Sequence, residues 1–345
     1  MALIAGEHLD LQGGVSTKCG ALAWPPSLIR LVISAKFSNC AILVERPAWH
    51  PEAYNEGLRN LVELNTHIAH AARERNSPRV VAVLTTRNEE RFVAGCLENL
   101  FHQGVQVYIC DNQSTDRTLE IAQRYRGAGL IGFESIPHNG WYCWEQLLRR
   151  KEELFQSLEA DWLMHLDADE IHLPPTSYSS LVSAIAAADA LGFNAIESSE
   201  FTFIPTREAP DHDNPDYQHT LRTYYPFRPF SPHCVRAYKK QDGPIEIAWS
   251  GGHRVRFEGP VRLSPERFRM KHYLFLSAEH AARKYGGRRF LSEEVDGRGW
   301  HGWRPRLRPE DIQLPDITQV RTTATDDDLD EANPWLAHWL ARYAS

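Results

Sequence analysis

The sequence predicts an α/β fold, a mostly parallel sheet flanked by helices, with extensions at both ends. Three observations predict it. Short continuous apolar runs, Val80–Leu84, Val105–Cys110 and Trp162–Leu166, read as strands buried on both faces. Segments with helical spacing separate them, and strand–helix–strand order at this spacing means a parallel sheet. Each run ends in a polar cluster, at 85–90, 111–116 and 167–170. Ligands bind off the carboxyl ends of such strands, and unrelated acidic turns would not all fall there.

The elements follow in order. Residues 1–77 are an N-terminal extension, expected to pack on the main domain. Within it Leu28–Val44 holds one or two strands. Leu58, Leu61, Leu64 and Ile68 share one face of a helix over 58–75. The main domain, 78–305, opens on Val80–Leu84 and the loop Thr85–Glu90. Phe92, Val93, Cys96, Leu97 and Leu100 then recur at helical spacing until Gly104. The second strand ends at Asp111, and a helix follows through Tyr125. Trp144, Leu147, Leu148, Phe155 and Leu158 stripe a helix over 141–158, with Arg149 and Lys151 expected on its solvated face. After Pro175 come an Ala-rich helix (179–191), a strand-like segment leading to Thr206, a polar loop over 207–218 and a helix over 278–285. The C-terminal tail, 306–345, carries the acid run Asp326–Glu331, expected to cap a terminal helix over 335–343.

Composition narrows the function. The 345 residues carry 24% charged and 42% hydrophobic side chains and a net charge of −7, so no nucleic-acid surface is indicated. Six cysteines lack CxxC spacing, which argues against both a zinc site and a disulfide framework. No run reaches the length of a membrane span, and contact with a membrane surface stays open. No signal peptide is evident, so a cytoplasmic setting is expected. Tryptophans near Gly, His or Pro, such as Trp300, Trp303 and Trp335, suit a cleft lined with flat apolar faces.

The strand ending Asp167-Ala-Asp169-Glu170 carries the chemistry. Residues i and i+2 of a strand point one way, so Asp167 and Asp169 converge if strand geometry persists. Two carboxylates so close repel unless a cation lies between them. Oxygen ligands without nearby cysteine suit Mg²⁺ or Mn²⁺.

Val80–Glu90 resembles the opening strand and Asn-Glu loop of GT-A-type glycosyltransferases of family 2. Asp111-Asn-Gln-Ser-Thr-Asp116 is similar to that family's Asp-Asp-Gly-Ser-Thr-Asp turn, with Asn112 and Gln113 in place of Asp and Gly. Asp167-Ala-Asp169 resembles its metal motif. Glu200-Phe-Thr-Phe, Gly251-Gly-His253 and Lys271-His-Tyr273 look like a bacterial branch of the superfamily. The resemblance implies a GT-A-like domain that moves a sugar from a nucleoside diphosphate to a hydroxyl of a saccharide or other acceptor. It implies inversion, a dependence on Mn²⁺ or Mg²⁺, and a place in surface polysaccharide or glycoconjugate synthesis. Asp169 and Asp167 would hold the metal, with Asp167 contacting it directly or holding its water or the ribose. His272 would be the third ligand, with His253 and His301 as rivals. Thr85, Arg87, Asn88 and Asp111 would bind the nucleotide, and His253 would face the cleft. An inverting reaction needs a base for the acceptor hydroxyl. Glu200 is expected there, its pKa raised by flanking aromatics; Glu197, Asp211 and Asp213 are the alternatives. Two other readings stay open: a nucleotidyltransferase, disfavoured because Thr85–Glu90 lacks glycine, and an inactive sugar-nucleotide-binding module.

Overall fold

The computed structural model describes residues 77–343 and, before them, the backbone of the strands His8–Leu9, Val15–Ser16, Leu28–Ser34 and Ala41–Pro47. The chain divides into two compact units, Met1–Asn76 and Ser77–Ser345. In the first, Leu28–Ser34 pairs antiparallel with Ala41–Pro47, so two strands occupy the stretch expected to hold one or two. The helix expected over 58–75 lies outside the described residues.

In the second unit the strands are β1 (Val80–Thr86), β2 (Gln106–Asp111), β3 (Leu130–Ser135), β4 (Trp162–Asp167), β5 (Glu170–Leu173), β6 (Ala195–Phe203), β7 (Thr223–Phe227), β8 (Val235–Lys239), β9 (Phe268–Tyr273) and β10 (Arg321–Thr322). The main helices are α1 (Val93–His102), α2 (Thr118–Gln123), α3 (Trp144–Ser157), α4 (Leu181–Ala190) and α5 (Ala278–Tyr285). Strands β4, β1, β2 and β3 lie side by side in parallel. Beyond β4 the sheet turns antiparallel through β8, β6, β7 and β10. Strand β9 runs parallel to β6 and antiparallel to β5.

Burial explains why β1 reads as unbroken apolar sequence. Val80, Ala82 and Leu84 pack on one face with Leu97, Leu100 and Ile185, from α1 and α4. Val81 and Val83 pack on the other with Leu147, Leu148 and Phe155 of α3. Helix α1 ends before Gly104, whose φ of +81° is costly for any residue with a Cβ. Ser180 caps α4 by accepting from the Ser183 amide.

Two expectations are corrected here. Strand β4 stops at Asp167, and Ala168–Asp169 form a turn into β5. The alternation that would align Asp167 with Asp169 therefore does not persist. At the C-terminus no α-helix forms over 335–343; a 3-10 turn spans Trp339–Arg342. The acid run caps a separate 3-10 turn, Asp326–Asp328, through Thr325, and Asp326 also accepts from Lys271 Nζ at 2.9 Å. The tail is held instead by aromatic packing. Trp335 stacks on Tyr225 with ring centroids 4.2 Å apart, and Trp339 joins Trp303 and Phe275 in a third apolar cluster.

Leu166 is fully buried at the centre of the sheet. Leu166→Ala is expected to destabilise the fold by about 2–5 kcal/mol, read as a lower urea midpoint in circular dichroism with the slope unchanged.

Candidate functional site

At the carboxyl ends of β1, β2 and β4, two loops are knitted together. The Asn88 backbone, at φ +56°, donates to Ser114 Oγ, and Asn88 Oδ1 accepts from the Thr115 amide at 2.7 Å. Arg87 Nη1 donates to the carbonyls of Asn112 and Gln113, each at 2.6 Å. Beneath them Asp111 is fully buried. It accepts from Thr86 Oγ1 (2.9 Å), the Ser114 amide (2.8 Å) and Ser114 Oγ (2.5 Å). Its carboxylate thus organises the 112–116 turn from below, as the aspartate of an Asx turn does.

Above this floor lies a cleft of about 570 Å³. Thr85, Arg87, Asp167, Asp169, Glu200, His253 and His272 all line it. Asn88 borders an adjoining recess with Asp213. The other proposed carboxylates are engaged elsewhere. Glu197 accepts from Arg228 (2.9 Å) and the His233 amide, Asp213 pairs with Arg91 (2.7 Å) and Arg283, and Asp211 Oδ1 accepts from the Asp213 amide. His301 faces the cleft but is bound to Glu294 at 2.6 Å.

Asp167 and Asp169 meet different cations. Asp167 accepts from Thr85 Oγ1 at 3.0 Å and lies 3.9 Å from Lys151 Nζ and 3.8 Å from Arg236. Asp169 pairs with Lys284 Nζ at 2.5 Å and faces His272 Nε2 at 3.5 Å. Glu170, which also lines the cleft, is held by Arg236, and its Oε2 accepts from the Asp167 amide. These surroundings push the two aspartates apart. Burial and nearby Glu170 raise Asp167, although Lys151 opposes them. Lys284 and His272 overcome burial and hold Asp169 well below the carboxylate range.

Lys151 is the correction on α3. It is fully buried rather than solvated, with Nζ 2.7 Å from His165 Nδ1 and 2.8 Å from the Leu166 carbonyl. Burial lowers its pKa to about 8 despite Asp167. Arg149 does lie on the solvated face, paired with Glu152.

Glu200 accepts from His272 Nδ1 (2.7 Å), His233 Nε2 (3.2 Å) and Thr202 Oγ1 (3.0 Å). The expectation that its surroundings raise its pKa is overturned. Burial acts in that direction, but the hydrogen bonds of His233 and His272 outweigh it and hold the carboxyl well below its ordinary range. His272, between Asp169 and Glu200, is held protonated against its burial. Glu89, also on the cleft wall, goes the other way: burial raises it to about 7, although Lys284 lies 4.0 Å away.

His253 sits where two glycines let the chain approach the core. A Cβ on Gly252, at φ +88°, would come within 2.6 Å of His165 Nε2. Burial keeps the His253 imidazole neutral, with a pKa of about 3.

The residues fit a divalent cation in part. Neighbouring ligands on an octahedral ion with bonds of about 2.1 Å stand about 3 Å apart, close to the 3.5 Å between Asp169 and His272. Asp167, Asp169 and His272 do not gather their donor atoms within 4.8 Å of one another; among the described residues that gathering occurs only at His233, Cys234 and His253. An ion at Asp169 would also need Lys284 to withdraw and His272 to release its proton.

Sequence reasoning missed Glu89, Lys151, Arg236, Lys284 and Arg288. For Lys151 a signal existed, since it lies four residues after Leu147 and four before Phe155, inside the apolar stripe. Nothing local marked Lys284, which a distant helix delivers.

A mostly parallel sheet with acids and buried cations around a cleft at its strand ends is an α/β, GT-A-like architecture. Residues 81–242 match the model of glycosyl transferase family 2, and over that span the chain resembles that family. Solved structures it resembles include S. aureus TarS 1-349 (14% identity, TM-score 0.37, covering 56% of this chain and 60% of that one). The same protein with UDP gives 13% identity, TM-score 0.39, and coverage of 68% and 76%. Glucosyl-3-phosphoglycerate synthase from Mycobacterium tuberculosis, with Mn²⁺, UDP and phosphoglyceric acid, gives 21% identity, TM-score 0.27, and coverage of 38% and 45%. The chain thus spans less than two thirds of the first and last of these. No curated protein matches it in sequence.

Asp111→Ala removes the acceptor of three hydrogen bonds from a fully buried position. A loss of about 1–3 kcal/mol is expected, with weaker nucleoside diphosphate binding by calorimetry. Parental stability and affinity together would reduce Asp111 to a bystander.

Proposed function

We propose that the cleft binds a nucleoside-diphosphate sugar and transfers the sugar, with inversion, to the hydroxyl of a saccharide or other acceptor in surface polysaccharide or glycoconjugate synthesis. The observation that carries this reading is the set of cations facing the strand-end acids. Lys284 sits on Asp169, while Arg288 and Arg304 line the same cleft and form no ion pair among the described residues. Sugar transfer leaves negative charge on the departing diphosphate, and preorganised cations stabilise that charge as it develops. Thr85, Arg87 and Asn88 frame the nucleotide pocket, and Asp111 supports it from beneath. Asp167 is the acceptor for a ribose hydroxyl, since Thr85 and the more distant Lys151 and Arg236 leave it open to the cleft.

Asp169 and His272 are the residues that would hold Mn²⁺ or Mg²⁺, with Asp167 reaching it directly or through water. Bound there, such an ion supplies Lewis-acid neutralisation of the diphosphate. Calorimetric titration of Mn²⁺ with UDP present is expected to show binding in the parent and none in Asp169→Asn. Equal binding by both proteins would remove Asp169 from the site.

The proton acceptor is better matched by Glu89 than by Glu200. A base works best with a pKa near the working pH, and Glu89 lies at about 7 while Glu200 is held far below. Glu200 then orients His272 and His233. A base must be deprotonated, so the rate should fall as pH drops below about 7. Glu89→Gln is expected to lose roughly 10²–10⁴-fold in kcat and that acidic limb, whereas Glu200→Gln keeps the limb. The reverse pattern would restore Glu200 as the base.

The four described cysteines, Cys96, Cys110, Cys143 and Cys234, are free thiols, and the setting is proposed as cytoplasmic. No helix among the described residues is long and apolar enough to cross a membrane. Residues 1–77 are proposed as an extension and 306–345 as a tail to the catalytic domain at 78–305.

A further inference from the structure

On the wall of the cleft opposite the nucleotide loops, three soft donors converge. Consecutive side chains of a strand point to opposite faces. Just before β8, Cys234 has a φ of +51°, which breaks that alternation. His233 Nε2 and Cys234 Sγ consequently reach the same oxygen, Glu200 Oε2, at 3.2 and 3.5 Å. A left-handed non-glycine residue is strained, and such strain gathers at functional sites. His253 joins from the glycine turn, anchored where its carbonyl accepts from the Val235 amide at 2.9 Å. Its ring stacks on that of His233, with centroids 4.8 Å apart and planes at 21°. One donor atom from each of the three residues lies within 4.8 Å of the others.

A second, independent observation concerns the imidazoles. His233 is 2% exposed, its Nε2 is engaged by Glu200, and its Nδ1 has no hydrogen-bond partner. His253 Nδ1 is likewise buried without a partner. A buried polar atom left unpaired is costly and calls for an explanation. Metal-binding histidines characteristically donate one ring N–H to a carboxylate and ligate through the other nitrogen. The Glu200–His233 pair has that form, with Nδ1 left over as the ligating atom.

We propose that His233, Cys234 and His253 bind one zinc ion, with the fourth coordination position open to the cleft for a water or hydroxyl oxygen. Zinc takes imidazole nitrogen at about 2.0–2.1 Å and thiolate sulfur at about 2.3 Å, and three protein ligands with one open position is the arrangement of its reactive sites. Tetrahedral bonds of those lengths put the donors about 3.5 Å apart, which small side-chain rotations reach from the present spacing. The donor set also distinguishes this site from Asp169 and His272. A thiol and two imidazoles suit zinc, whereas carboxylate oxygens with room for diphosphate suit manganese or magnesium. His253 is already neutral, as a ligand must be, and the Cys234 thiol, whose pKa burial raises, gives up its proton to solvent as the Zn–S bond forms. The absence of CxxC spacing hides the site in the sequence, because a backbone turn and a distant glycine loop assemble it.

The test uses the full chain, stripped with chelator and dialysed against Zn²⁺ or Co²⁺. About one zinc per chain is expected by elemental analysis. The cobalt form should show the intense visible bands of a tetrahedral ion and a near-ultraviolet thiolate-to-cobalt band. Cys234→Ser should abolish the thiolate band, and both Cys234→Ser and His253→Gln should weaken zinc binding at least about tenfold, the scale on which even outer-shell changes act. Asp169→Asn should retain zinc and the full spectrum. A parent protein that binds no zinc, or whose cobalt form lacks the thiolate band, overturns the proposal whatever the variants do. Zinc binding that survives both ligand substitutions also overturns it.

Discussion

Carboxylates can be buried side by side only when cations are buried with them, because an unpaired charge in a protein interior costs several kcal/mol. That constraint governs the strand-end region. Asp167, Asp169, Glu170 and Glu200 crowd one end of the sheet, and the positive charge comes from four different elements. Lys151 arrives on α3, Arg236 on β8, His272 on β9 and Lys284 on α5. Each of those elements is drawn to the cleft by charge as well as by apolar packing. The groups suited to chemistry are thus also the ones that fix where the second half of the chain docks on the first.

The same arrangement keeps the cleft electrically divided. On one side, Lys284 and His272 lock Asp169 as a permanent anion. Glu89, farther from the same lysine, is raised to about 7 by its burial. The same lysine bears unequally on the two acids, at 2.5 Å from Asp169 and 4.0 Å from Glu89.

The parallel half of the fold was legible because its strands are buried on both faces and so stand out as unbroken apolar runs. Helix α5 was legible to the residue, since Ala278–Tyr285 carries a strong stripe behind the Ser277 cap. The polar loops were legible as loops, and their place at strand ends pointed to the cleft. Four things escaped the sequence reading. The turn at Ala168–Asp169 ends β4 early, and strand alternation says nothing about where a strand stops. Lys151 was assigned by its charge when its helical position was the better guide. The pKa of Glu200 depends on two histidines that arrive from β9 and from the segment before β8, and no local pattern reveals such partners. The terminal helix failed for another reason: ring contacts such as Trp335 on Tyr225 and His338 on Phe227 hold residues 335–343, so helical hydrogen bonding is not what orders them.

That tail has a bearing on how the cleft is closed. His338 stacks on Phe227 with centroids 3.8 Å apart, and its Nδ1 lies 2.9 Å from Tyr225 Oη. With Leu336 and Ala341 it supplies one wall of the cleft. All the strands of the sheet precede residue 323, so this wall is laid against a sheet whose strands are complete without it. Without residues 335–343 the acids, the cations and the nucleotide loops would all remain, and one flank of the cleft would stand open to water. The enclosure of the cleft therefore rests on a few ring contacts far from the acids it shelters.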